Sequence, residues 1–151
     1  MKKLKIALGV LVGLIVAVVL GGYAIDPRVE LSTEATLKAP PEKVFETINS
    51  FEGEVKWWTK AMEAYEGGDM PPMTVEHAGG QKQGKDMVIH FKAGDTLAEE
   101  WTFLASEENQ KIVVKVDFQM FVVERTLKLE PAGEGTKVTW SEWGEMSNPL
   151  M

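Results

Sequence analysis

The chain has 151 residues and carries 16 Lys+Arg against 23 Asp+Glu, for a net charge of −7. So acidic a chain argues against nucleic acid and against anionic lipid as charge-driven partners. It contains no cysteine and two histidines, His77 and His90; disulfides, thiolate metal sites and cysteine nucleophiles are excluded, and no cofactor or metal is expected.

Lys2, Lys3 and Lys5 precede a run from Ile6 to Ile25 with no charged side chain. About 20 apolar residues at 1.5 Å rise cross a hydrocarbon core of about 30 Å. The run is expected to be a single-pass transmembrane anchor over residues 1–27. The lysines keep its N-terminus cytoplasmic and place residues 28–151 outside. The alternative is a signal peptide cleaved after Ala24, since Gly22-Tyr23-Ala24 offers small residues at the required spacing. Length favours the uncleaved anchor, because a signal h-region has only about 7–15 residues. Without residues 1–27 the remainder holds 13 basic and 22 acidic residues, enough chain for one domain.

Val29, Leu31, Thr33, Ala35 and Leu37 alternate with polar residues and predict a half-buried strand. Ala39-Pro40-Pro41-Glu42 opens a helix, with proline in the first turn where no N–H is required. Val44, Phe45 and Ile48 form its apolar stripe, and Asn49-Ser50 ends it. A short amphipathic piece follows from Phe51 to Trp58, and Gly67 to Pro72 is loop. From Met73 the pattern is β: Met73 to Ala78, Lys85 to Phe91, Leu97 to Ala105, Lys111 to Phe118, Val122 to Glu130 and Thr136 to Trp143. Short strands joined by hairpin loops predict an antiparallel meander with one buried face.

Three motifs in this order carry a resemblance: Ala39-Pro40-Pro41-Glu42-Lys43-Val44-Phe45, then Val55-Lys56-Trp57-Trp58, then Gly135-Thr136-Lys137-Val138-Thr139-Trp140. Over roughly Val29 to Met151 the chain resembles the polyketide cyclase/dehydrase-like branch of the START/Bet v 1 (SRPBCC) superfamily. The resemblance implies an α+β helix-grip fold, in which a curved antiparallel sheet with an N-terminal helix pair wraps a long C-terminal helix around a hydrophobic cavity. Met146 to Met151 resembles only the lead-in to that helix, so the grip helix is expected to be truncated. An uncovered concave face would then favour self-association.

The hairpin loop Pro131 to Gly135 sets a register that pairs Leu129 with Val138, Leu127 with Trp140 and Arg125 with Glu142 on the apolar face, and Glu130 with Lys137 outside. Extending it sets Arg125 opposite Val116, Val116 opposite Glu99, and Glu99 opposite Ile89. Glu99, Arg125 and Glu142 are thus expected to form a polar line across an apolar face, one arginine between two carboxylates. Such a line is either a structural ion pair or a device for orienting a ligand carboxylate or carbonyl. Trp57, Trp58, Phe91, Trp101, Phe118, Phe121 and Trp140 are expected to line the cavity, as core or as ligand contacts. His77 is expected at the rim and His90 on the outside.

The reading that follows is a membrane-tethered module binding a small hydrophobic or lipid-like ligand. Its alternative is a cyclase or hydratase acting on an apolar carbonyl compound, with Glu99 or Glu142 as general base. A third is a partner-binding domain using its acidic outer face. No nucleophile elbow, phosphate loop or metal-ligand spacing is present.

Overall fold

The structure, a computed structural model, describes residues 28–64 and 72–146. The run from Ile6 to Ile25, most of the loop at residues 67–72 and the end of the chain from Ser147 lie outside the described residues. Among the described residues no helix is long and apolar enough to cross a membrane.

The element order is β1 (Arg28–Leu37), α1 (Pro41–Ile48), α2 (Phe51–Ala64), β2 (Met73–Gly79), β3 (Val88–Ala93), β4 (Thr96–Glu107), β5 (Lys111–Asp117), β6 (Phe121–Ala132) and β7 (Gly135–Met146). Among the described residues the seven strands form one antiparallel sheet in the order β1-β7-β6-β5-β4-β3-β2. The fold is α+β and helix-grip-like, as expected. Alternation decides which face is buried. Ile89 and Phe91 on β3, Trp101 and Phe103 on β4, and Ile112, Val114 and Val116 on β5 turn inward, followed by Val123, Leu127 and Leu129 on β6. Val44 and Phe45 of α1 pack against them.

The helices begin and end where local chemistry dictates. Pro41 occupies the first turn of α1, and Val44 N–H donates to Pro40 O at 3.1 Å. The first helix stops at Asn49, whose N–H reaches Phe45 O. The second starts one residue later, with Ser50 Oγ accepting from Gly53 N–H at 3.2 Å. α2 runs on to Ala64 and is longer than the short piece expected. Asn49 is buried, and its Oδ1 accepts from Ser106 Oγ at 2.7 Å, fixing the corner between the helices to β4.

The same corner depends on Gly53. A Cβ there would lie 1.8 Å from the carbonyl oxygen of Thr47, so the helices meet this closely only without a side chain. Gly53→Ala is expected to cost about 2–3 kcal/mol, near the top of the usual overpacking range. Thermal melting of the full chain checks it; an unchanged melting temperature would show that the corner opens without cost.

The β6–β7 register matches expectation: Arg125 faces Glu142, Leu127 faces Trp140, Leu129 faces Val138 and Glu130 faces Lys137. The outward Glu130–Lys137 ion pair is 3.8 Å long. Three other registers need correction. Arg125 faces Val114 rather than Val116, Val116 faces Trp101 rather than Glu99, and Glu99 faces Phe91 rather than Ile89. Each shift is two residues, so the face is preserved but the position along the strand is not. Strand β3 starts at Val88, not Lys85, because the chain turns through Asp86 at φ 68°. Bulges interrupt β2–β3, β3–β4 and β4–β5, and bulges bend a sheet.

Candidate functional site

Between the two helices and the inner face of β1, β4, β5, β6 and β7 lies a cavity of ≈ 430 Å³. That is toward the small end of the about 300–1,000 Å³ typical of ligand sites. Ala35 and Leu37 reach it from β1, Val44 and Ile48 from α1, Val114 from β5, Leu127 from β6 and Val138 from β7. Trp57, Trp101 and Trp140 add aromatic walls. Leu37 and Trp57 are 42% and 44% exposed and mark the mouth.

Arg125 lines this cavity while only 7% exposed. Its Nε–H donates to Glu142 Oε1 at 2.6 Å. Its guanidinium carbon lies 4.3 Å from the centre of the Trp140 ring and 4.6 Å from that of Trp101, within the reach of cation–π attraction. The two indoles and Glu142 fix the plane of the guanidinium. The Nη groups have no acceptor among the described residues.

The expected line of Glu99, Arg125 and Glu142 is broken. Glu142 pairs with Arg125, but Glu99 accepts from Trp101 Nε1 at 2.8 Å instead. The row through Arg125 crosses β4 at Phe103. That is four residues from Glu99, about 13 Å along a strand. Neither Glu99 nor Glu142 lines the cavity.

The carboxyl that does line it is Glu54, on α2. It is 8% exposed, and no described residue hydrogen-bonds its carboxyl. Burial pushes its pKa up from 4.5 to about 8, against a smaller opposing pull from Arg125. Glu54 is therefore mostly neutral at pH 7. Its signal was present in the sequence: Phe51, Glu54, Val55 and Trp58 fall at i, i+3, i+4 and i+7, which sets a glutamate on an apolar helix stripe.

Of the side chains expected at the cavity, Trp57, Trp101, Arg125 and Trp140 line it. Trp58, Phe91, Phe118 and Phe121 do not. Trp58 meets Phe91 edge-on at 4.9 Å, and Phe91 lies 4.6 Å from Trp101, so these rings extend the wall into solid core. Trp58 Nε1 is buried with no acceptor among the described residues. Phe118 stacks on Phe121 at 4.7 Å. His77 meets the Phe51 ring and Gln81 O away from the cavity lining. His90 pairs with Glu100 at 2.8 Å. Among the described residues no group of three His, Asp or Glu side chains is arranged to hold a metal ion.

A bent antiparallel sheet enclosing a cavity beneath a helix pair is a helix-grip-like arrangement. Residues 28–150 match the family described as polyketide cyclase / dehydrase and lipid transport, and the chain belongs to it. Solved structures of similar fold include Ara h 8.0201, at 18% identity and TM-score 0.60, covering 81% of this chain and 80% of that one. A protein from Nitrosospira multiformis is 17% identical at TM-score 0.59, covering 81% and 82%. The Aha1 dimer from Colwellia psychrerythraea is 16% identical at TM-score 0.51, covering 80% and 76%. At these identities the likeness is one of fold. No curated protein matches the sequence.

Proposed function

We propose that this chain binds a small hydrophobic ligand in the cavity between the helices and the sheet. The observation that carries the reading is the ≈ 430 Å³ cavity itself, walled by aliphatic and indole side chains, with a few polar groups among them. Mostly apolar walls with a few placed polar groups are the usual make-up of a small-molecule site. The family description names lipid transport, which agrees with a ligand of this kind. The uncharged run from Ile6 to Ile25, with Lys2, Lys3 and Lys5 before it, supports a tether that keeps the cavity beside the outer face of a membrane.

The test is native mass spectrometry of the full chain released from washed membranes by mild detergent, paired with fluorescence titration against a lipid probe. The expected results are recovery in the membrane fraction, a bound apolar molecule, and a saturable change in emission from Trp57, Trp101 and Trp140. An empty cavity together with no fluorescence response would remove the ligand reading. Recovery of the uncleaved chain in the soluble fraction would remove the tether.

A further inference from the structure

Two ionisable side chains, each more than nine-tenths buried, share the cavity, and each keeps hydrogen-bonding capacity that no described residue uses. Resting on the ligand-binding reading above, we propose that the cavity selects an apolar molecule bearing a single carboxylate, whose oxygens lodge between the Arg125 Nη groups and the Glu54 carboxyl. The guanidinium fork matches a carboxylate in two parallel hydrogen bonds. Glu142 on Nε and the indoles of Trp101 and Trp140 already hold its plane, so little ordering remains for the ligand to impose.

The charge around the site selects the same class. Lys43 from α1 and Arg125 from β6 are the cationic liners, and Glu54 is the acidic one. On β7, Glu142 is engaged by Arg125; on β4, Glu99 is engaged by Trp101 Nε1. From β1 and β5 only Ala35, Leu37 and Val114 face the cavity. With the Glu54 pKa raised to about 8 by burial, the carboxyl is a hydrogen-bond donor at pH 7 and the cavity lining carries net positive charge. An anion is accepted there. A cation would meet Arg125 with no ionised Glu54 to balance it.

The experiment is tryptophan-fluorescence titration of the full chain with decanoate, decanol and decylamine between pH 6 and pH 9.5. Ordinary carboxyls ionise near pH 4–5, so decanoate is an anion throughout. Decanoate is expected to bind at least about tenfold more tightly than decanol at pH 6.5, a difference of about 1.4 kcal/mol. Its affinity is expected to fall toward tenfold per pH unit above pH 8, as Glu54 ionises and repels it. Glu54→Gln should remove that fall, because the amide cannot ionise. Arg125→Lys, which keeps the charge and loses the fork, should narrow the preference over decanol. Decanoate binding no tighter than decanol, a pH-independent affinity in the unaltered chain, or a preference for decylamine would each overturn the proposal while leaving an apolar-ligand site. No saturable response to any of the three would remove that site as well.

Discussion

Glu54→Gln is expected to stabilise the fold at pH 8.5 by on the order of 4 kcal/mol and to leave it nearly unchanged at pH 4. The sign follows from the two protonation states. The folded pKa is about 8 against an ordinary 4.5, and the cause is burial. Below pH 4.5 the group is protonated whether the chain is folded or not, and it costs nothing. Between 4.5 and 8 the unfolded chain releases the proton while the folded chain retains it, so stability declines as pH rises. Above 8 both forms are ionised and the decline stops. Glutamine does not titrate and escapes the decline. Whole domains are stable by only about 5–15 kcal/mol, so one side chain carries a large share. Urea titrations of both proteins at pH 4, 6 and 8.5 measure it. Parallel curves across that range would mean that water reaches Glu54 in the folded state.

Arg125→Leu is expected to destabilise the protein by about 3 kcal/mol at pH 7. Breaking one side of a buried pair costs about 3–5 kcal/mol. The Arg125 side chain is 9% exposed and that of Glu142 is 19% exposed, so water relieves part of the penalty and the lower end applies. Losing the contacts to Trp101 and Trp140 adds to the cost. The same change removes the attraction that now holds the Glu54 pKa down, so that pKa should rise further. Replacing Glu142 by Leu in addition should return part of the lost stability, since the orphaned carboxylate goes with it. A single-variant loss below about 1 kcal/mol would place the pair among exposed, weak ion pairs.

Both effects turn on tertiary packing that no single stretch of sequence contains, which shows where the reading from residues succeeded and where it stopped. The pairing of Arg125 with Glu142 was legible because the short turn at Gly133-Glu134 ties β6 to β7 and fixes their register. The path from Arg125 to Glu99 was not legible. It crosses two hairpins, and the bulge at Phe103/Ala105 leaves no reliable mark in the residue pattern. Alternation survives a two-residue slip, so Trp101, Arg125 and Trp140 stay on one face while Glu99 shifts along its strand. Glu54 lay on a visible helical stripe. What makes it part of the site is the docking of α2 over the sheet beside Arg125, a tertiary event that helical periodicity does not encode. The antiparallel meander was legible from alternation and turn chemistry, which act locally, whereas the α+β helix-grip class rested on the resemblance carried by the three motifs, and the pairing of β1 with β7 was not legible.

The pairing of β1 with β7 has a consequence for how the chain is made. Leu37 pairs with Thr136 and Arg28 with Glu145, so β1, the first of the described strands, waits roughly a hundred residues for its neighbour. At about 5–20 residues per second, that is roughly 5–20 s. During that interval β1 is an unpaired edge with apolar side chains, the kind of segment that seeks strands on other chains. The cavity also has to wait, because Ala35 and Leu37 on one side and Val138 and Trp140 on the other reach it from these two strands. Thr136 Oγ1, fully buried, then donates to Ala39 O at 2.7 Å and clasps the start of β7 to the entry of α1. Long-range closure of this kind makes folding slow. The cavity is thus among the last parts of the molecule to form, and a translational pause ahead of β7 lengthens the time in which β1 can pair with the wrong chain.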